Sequence, residues 1–354
     1  MRAVIYREFK GPLAVEDVPT PQPPESGVLI EVQAAGICRS DWHGWMGNDA
    51  DVHLPHVPGH EFAGVIADVG AGVKNWRNGD RVTLPFVCAC GTCEQCATGN
   101  QQVCDRQFQP GFTHWGAFAE YVAVDYADTN LVRLPDEMEF ATAAGLGCRF
   151  ITAFRAIVDQ GKVEAGQHVA VFGCGGVGLS AIMIANALGA EVTAVDIDDE
   201  KLALARSLGA SNTVNSRDVA NPSDAVRDAT GGGGHISVDA LGDPKILLYS
   251  LLSLRKRGRH IQVGIMQSGQ HRSPIPVDRI IAYELEIIGS HGMQAHRFPQ
   301  IFEMVAGGRL HPERLIGRTI SLDQAPQALS DMPSFSNHGI TVITAFQNTH
   351  PGPS

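Results

Sequence analysis

Positive charge is scarce in this sequence: 27 Lys+Arg stand against 38 Asp+Glu over 354 residues, a formal net charge of −11. Binding a phosphate backbone or an anionic membrane rests on clustered positive charge, so neither nucleic acid nor membrane is expected as a partner. Long apolar runs are missing too. No uninterrupted stretch reaches the ~18 residues of a spanning helix. Residues 1–9 lack the apolar core and small-residue cleavage site of a secretory signal, so a soluble, cytoplasmic protein is expected. There is no internal repeat and no low-complexity segment. What remains is an ordinary globular composition, 44% hydrophobic and 18% charged. Its length exceeds what a single core usually supports, so two domains are expected.

The eight cysteines are unevenly spread: Cys38, Cys88, Cys90, Cys93, Cys96, Cys104, Cys148 and Cys174. In a long chain without an export signal, clustering of this kind points to metal rather than disulfides. Cys90, Cys93, Cys96 and Cys104 can close a tetrahedral zinc shell in a loop, and four protein sulfurs leave no open position. An iron–sulfur cluster uses the same ligands, and free reduced thiols are the remaining alternative. Cys88 has no required role.

Residues 1–148 carry short β-branched strand candidates at 28–34, 61–69 and 81–84, broken by Gly and Pro, which suits a β-rich or barrel-like body. The pattern changes at 149. A helix candidate at 149–159 precedes alternating strands (168–172, 191–197, 236–240, 259–264, 286–290) and helices (177–188, 200–208), the grammar of a parallel sheet covered on both faces. The glycines at 231–234 read as a loop, and 297–305 as an amphipathic helix.

Within the second region, Gly173, Gly175 and Gly178 form G-x-G-x-x-G between a strand and a helix. The first permits a tight turn, the second lets backbone approach a pyrophosphate, and the third allows close helix–strand packing. The helix start through Gly176 and Val177 offers N–H groups to the anion. Asp196 ends the next strand, where ribose hydroxyls would sit, and no cation follows before Lys201. An acid there accepts from a free 2′-hydroxyl and repels a 2′-phosphate, so NAD is expected over NADP.

Three other segments hold metal-ligating types. Cys38, Ser40, Asp41 and His43 lie close together, His60 precedes Glu61 in a glycine-flanked stretch, and Cys148 follows Gly147. A zinc held by two Cys and one His keeps a fourth position open for water or substrate. Spacing alone does not join these three segments. Cys148 also reads as a small buried hydrophobe and His60 as a hydrogen-bonded core residue.

In order along the chain, Gly36-Ile-Cys38-Arg-Ser-Asp-Trp-His43, Gly59-His60-Glu61-Phe-Ala-Gly64, the four-cysteine lobe, Gly147-Cys148, the glycine turn and Asp196 resemble the medium-chain, zinc-containing alcohol dehydrogenases, the microbial ones in length. The resemblance implies an α/β protein with a GroES-like catalytic domain, 1–148 completed by 290–354, and a Rossmann domain at 149–289. It implies two zinc ions per chain: a catalytic one on Cys38, His60 and Cys148, with Glu61 beside it, and a structural one on the lobe at about 88–105. Asp41 would orient the metal-bound His. Ser40 would take the alcohol proton and pass it to His43. Arg39 matches a position facing the pyrophosphate, whereas Thr341 stands where many relatives place an Arg.

The activity implied is reversible NAD-linked oxidation of an alcohol to the aldehyde or ketone, in a homo-oligomer, a tetramer rather than a dimer. Phe86, Trp42 and Trp115 are candidates for the substrate pocket, which would favour apolar or aromatic primary alcohols. A zinc-free enone or quinone reductase and a non-enzymatic zinc module are the competing readings. The first generally lacks zinc ligands, and the second has no use for a dinucleotide turn.

Overall fold

The computed structural model describes residues 1–266, 275–332 and 339–347. The chain divides into two compact units. The first comprises Met1–Cys148, Met293–Phe302 and Ile316–Ser354, and the second Arg149–Gly292 with Glu303–Leu315. Among the described residues, no helix is long and apolar enough to cross a membrane.

The first unit is built on a mixed sheet. Its strands run Ile316–Ser321, Ile340–Ala345, Val28–Ile37, Glu61–Val69, Arg81–Thr83 and Val132–Arg133, with Tyr121–Val124 also pairing with Val28–Ile37. The central strand alternates apolar side chains into a core shared with Phe62, Ile66, Val82 and Phe118. Its antiparallel register with Glu61–Val69 aligns Gly36 with Glu61. Continuing the ladder outward brings the chain just past Ile37 opposite the chain just before Glu61. Cys38 and His60, twenty-two residues apart in sequence, therefore emerge at one end of one strand pair.

The cysteine lobe leaves this sheet as a loop with one short helix, Glu94–Ala97, and a 3₁₀ turn, Gln101–Val103. Asn130 holds its entrance. The buried side chain accepts from the Ala89 N–H at 2.6 Å and donates to the carbonyls of Ala89 and Tyr126, both at 2.9 Å.

The second unit is a six-stranded parallel sheet in the order Asn212–Asn215, Glu191–Asp196, His168–Phe172, Gly234–Asp239, Leu254–Gln262, Glu286–Gly289. In chain order this is 3-2-1-4-5-6, the doubly wound arrangement that binds dinucleotides at its switch point. Helices Gly176–Ala187, Asp199–Ser207, Pro222–Ala229 and Pro244–Leu252 connect the strands. The segment at 149–159 is helical, but π-type turns at Leu146–Phe150 and Arg155–Gln160 flank a short α-helical stretch. Such wide turns accommodate an extra residue and cluster at functional positions. Of the glycine run, Gly234 belongs to a strand, paired with Leu254, and only 231–233 form the turn.

Replacing Asn130 by Leu strands the buried N–H and C=O of Ala89. At roughly 1–3 kcal/mol per unsatisfied group, a loss of about 3 kcal/mol is expected in urea unfolding. An unchanged midpoint would show that Asn130 does not hold the lobe.

Candidate functional site

Helix Arg39–Trp45 starts where the central strand ends. Its Asp41 is 1% exposed and ties three backbone segments together. One carboxylate oxygen accepts from the Cys38 N–H at 2.9 Å. The other accepts from the Gly59 N–H at 3.0 Å and from His60 Nδ1 at 2.8 Å. Gly59 has φ +109°, and a Cβ there would lie 2.6 Å from the Phe118 nitrogen, so only glycine fits this approach. Because Nδ1–H donates to Asp41, Nε2 is the ring atom left to bind a cation. That atom is buried, makes no hydrogen bond of normal geometry among the described residues, and faces the Cys38 sulfur.

Cys148 arrives on the wide turn Leu146–Phe150, and the Gly147 carbonyl accepts from the Phe86 N–H at 3.0 Å. One donor atom each from Cys38, His60, Glu61 and Cys148 lies within 4.8 Å of all the others. Two soft thiols, an imidazole nitrogen with no hydrogen bond of normal geometry and an adjacent carboxylate fit a zinc ion with room for an exogenous ligand. Burial opposes protonation of His60. With no cation bound, the Asp41 carboxylate and Cys38 beside the ring outweigh it and raise the imidazole pKa well above its ordinary value, so a metal taking Nε2 displaces a proton there.

The second donor group is Cys90, Cys93, Cys96 and Cys104, again with all four sulfurs within 4.8 Å. Burial works to raise the Cys90 thiol, but hydrogen bonds from Thr92 and neighbouring N–H groups pull it down to about 5. Burial, then the Cys93 and Cys104 sulfurs, push Cys96 up to about 12. Thiols at this spacing cannot all ionise unaided, and a divalent cation is the species that allows it. Cys88 lies outside the group, fully buried and bonded to the Pro85 carbonyl.

Ser40 Oγ lies 3.8 Å from Cys38 Sγ. His43 follows three residues later on the same helix face. Its Nδ1 is 3.4 Å from Asn48 Nδ2, and burial together with Arg39 lowers its pKa. Arg39 packs its guanidinium over the Trp42 ring at 5.3 Å. Trp42 itself packs against the sheet core.

Aromatic rings flank His60. Phe86, named from the sequence as a substrate-pocket candidate, stands at 6.1 Å, and Phe112 is nearer, at 4.7 Å. Phe112 lies in a loop segment with no motif to mark it. Trp115 packs on Ala3, Ile5, Val57 and Ala119, with its indole N–H bonded to the Pro55 carbonyl. Thr341 is engaged too, its hydroxyl accepting from Arg318 Nε at 3.1 Å.

In the second unit, strand His168–Phe172 turns through Gly173 and Gly175 into helix Gly176–Ala187. A Cβ at Gly178 would sit 1.7 Å from the Gly173 carbonyl oxygen, so this helix can meet the turn only with glycine there. Gly175 is exposed, and Gly176 and Val177 are half-buried, leaving the helix start accessible. Asp196 reaches across to the turn: Oδ2 accepts from the Cys174 N–H at 2.6 Å and Oδ1 from the Ile197 N–H at 2.7 Å. Lys201 sits in the first turn of the next helix, 4.0 Å from the capping Asp198. Sequence reasoning did not single out Arg149. Its Cδ lies 2.4 Å from where a Gly176 Cβ would stand, which puts a cation beside the helix start.

A family model described as an alcohol dehydrogenase GroES-like domain matches residues 24–136, and one described as a zinc-binding dehydrogenase matches 176–307. An alcohol dehydrogenase of Geobacillus stearothermophilus is 35% identical over 294 residues, 82% of this chain and 84% of that one. An NAD-dependent alcohol dehydrogenase of Sulfurisphaera tokodaii is 32% identical, covering 97% of this chain and 99% of that one. Among solved structures, benzyl alcohol dehydrogenase from Acinetobacter calcoaceticus superposes with a TM-score of 0.90 at 27% identity, over 97% and 99% of the two chains.

Proposed function

The chain belongs to the zinc-containing alcohol dehydrogenase family, and on that premise we propose that it oxidises apolar or aromatic primary alcohols with NAD, using Cys38, His60 and Cys148 as the ligands of a catalytic zinc. The single observation that carries this reading is the Nε2 of His60, buried, without a hydrogen bond of normal geometry and close to two thiols. When bound, zinc acts as a Lewis acid that lowers the proton affinity of an alcohol oxygen, and NAD accepts the hydride.

The protein's own contribution is orientation and proton handling. Asp41 fixes the His60 ring and its tautomer. The Ser40 hydroxyl takes the alcohol proton, and His43 carries it to solvent, its lowered pKa keeping it neutral and ready to accept near pH 7. Glu61 serves as a neighbouring carboxylate for ligand exchange. Phe86 and Phe112 supply aromatic walls beside His60. The first unit acts as the catalytic domain. In the second, the turn Gly173–Gly178 with Arg149 receives the pyrophosphate and Asp196 the ribose. Cys90, Cys93, Cys96 and Cys104 hold a second, structural zinc, making two per chain. A zinc-free reductase leaves both donor groups without a purpose, and a zinc-binding module leaves the glycine turn without one.

We further propose a homo-oligomer built on a two-fold dimer. Among the described residues strand Glu286–Gly289 is a sheet edge, and near it in sequence Ile265, Val277 and Ile281 are 78%, 59% and 73% exposed. A free edge with apolar neighbours is a template for pairing with a second copy.

Three outcomes are expected. Elemental analysis finds two zinc ions per wild-type chain and about one in Cys148→Ala, with NAD-dependent oxidation lost and benzyl alcohol preferred over ethanol in the wild type. One ion and an inactive wild type would sink the catalytic assignment, and a preference for polyols would sink the substrate class. His43→Ala keeps both ions but loses about tenfold to hundredfold in kcat near pH 7. That loss shrinks at high pH, where hydroxide accepts the proton; a deficit independent of pH would remove His43 from the relay. Light scattering gives at least a dimer mass, reduced by Ile281→Asp; a monomeric wild type would refute the oligomer.

A further inference from the structure

At the N-terminal ends of the parallel strands in the second unit lies a cavity of about 410 Å³ that the reaction does not use. Dinucleotides bind at the opposite, C-terminal ends in this fold. The cavity is lined by Lys162, Arg255, Lys256, Arg257 and Arg259, with Glu164 and Glu286 as the carboxylates. Five fixed cations gathered on a protein of net charge −11 is a local inversion of its field.

The backbone is arranged to make this cluster. Strand Leu254–Gln262 pairs Leu254 with Gly234 and then Arg259 with Ile236, so the ladder skips four residues on one side against one on the other. The bulge presents Arg255, Lys256 and Arg257 in succession, all exposed, and Arg257 takes φ +61°, a conformation that costs a non-glycine residue energy. Arg259 is answered by Glu286 through two bonds of 3.0 and 2.9 Å, while Lys256 Nζ stands 6.0 Å from the Tyr283 ring centre. Arg257 has a distant, exposed partner, Glu284 at 3.9 Å.

His235 shows what is missing. Its Nδ1 accepts from the His168 N–H at 3.0 Å, so the neutral ring carries its hydrogen on Nε2. Arg255 Nη1, which can only donate, stands 2.8 Å from that Nε2. The other tautomer moves the conflict to Nδ1 without removing it. Two donors crowd each other, and an acceptor oxygen seated beside the pair, within reach of each, would satisfy both. Burial, Arg255 and His168 all lower the His235 pKa, so the ring does not escape by becoming a better cation.

We propose that this cavity binds the phosphate group of a small anion, with Arg255, Lys256 and His235 as donors. Guanidinium forks match phosphate oxygens, and the volume admits more than a bare phosphate. The source is either free phosphate or pyrophosphate, or the phosphate of a nucleotide-sized organic ester.

Calorimetric titration of the full chain, with NAD saturating, tests this using inorganic phosphate, pyrophosphate and AMP as probes. Saturable binding is expected for at least one probe, weakened at least tenfold in Arg255→Gln/Lys256→Gln and unchanged in Arg217→Gln, an exposed cation elsewhere in the unit. Both variants should melt with the wild type, since the substituted side chains are exposed. AMP binding more tightly than phosphate and pyrophosphate supports an organic ester as occupant, and the reverse order supports the free anion. No saturable binding by any probe, or binding that the double variant leaves intact, overturns the proposal.

Discussion

The site rests on one buried carboxylate. Asp41 is removed from water, a situation that costs several kcal/mol unless its oxygens are answered by donors. Three donors answer it, from Cys38, Gly59 and His60. Those bonds join the end of one strand to the start of its neighbour and set the His60 tautomer. The same interaction that makes the charge tolerable therefore aims an imidazole nitrogen at two thiols. Geometry, protonation state and ligand field are consequences of a single residue.

The two donor groups differ in how they finish. The lobe presents four sulfurs and closes its own shell, so an ion there can only hold the loop in place. The second group offers two sulfurs, one nitrogen and a carboxylate, and in the proposed assignment the first three would hold the ion and leave a position for substrate. The difference traces to topology. The lobe is local, one loop folding on itself, whereas the other set needs a strand end, a strand start and a widened helical turn to meet. Asn130 contributes to the first by fixing the loop's entrance, and the register of Gly36 with Glu61 contributes to the second.

How much of this was legible beforehand follows the same division. The four-cysteine spacing and the glycine turn were readable because their chemistry is contiguous. The alternating strands and helices of the second unit were readable from period and punctuation. Helices Pro222–Ala229 and Pro244–Leu252 escaped, although Asn221 and Asp243 cap them and a proline opens each, a signal the chain carries openly. The meeting of Cys38, His60 and Cys148 was not derivable from spacing; it entered through resemblance, and a strand register explains the first two. Phe112 and Arg149 were missed for a different reason: each owes its place to packing, beside His60 and beside Gly176, and neither lies in a motif. Trp115 is a residue of the right type in a segment that runs against Gly59, with its ring packed on Ala3, Ile5, Val57 and Ala119.

The most direct test of the central claim is the absorption spectrum of protein loaded with cobalt(II) in place of zinc. Two thiolate-rich tetrahedral centres are predicted, one with four sulfurs that ignores added ligand, and one with two sulfurs and a histidine whose visible bands shift when an alcohol or imidazole is added. A single four-sulfur spectrum, unmoved by any ligand, would contradict the account by showing that Cys38, His60 and Cys148 hold no metal with an open position.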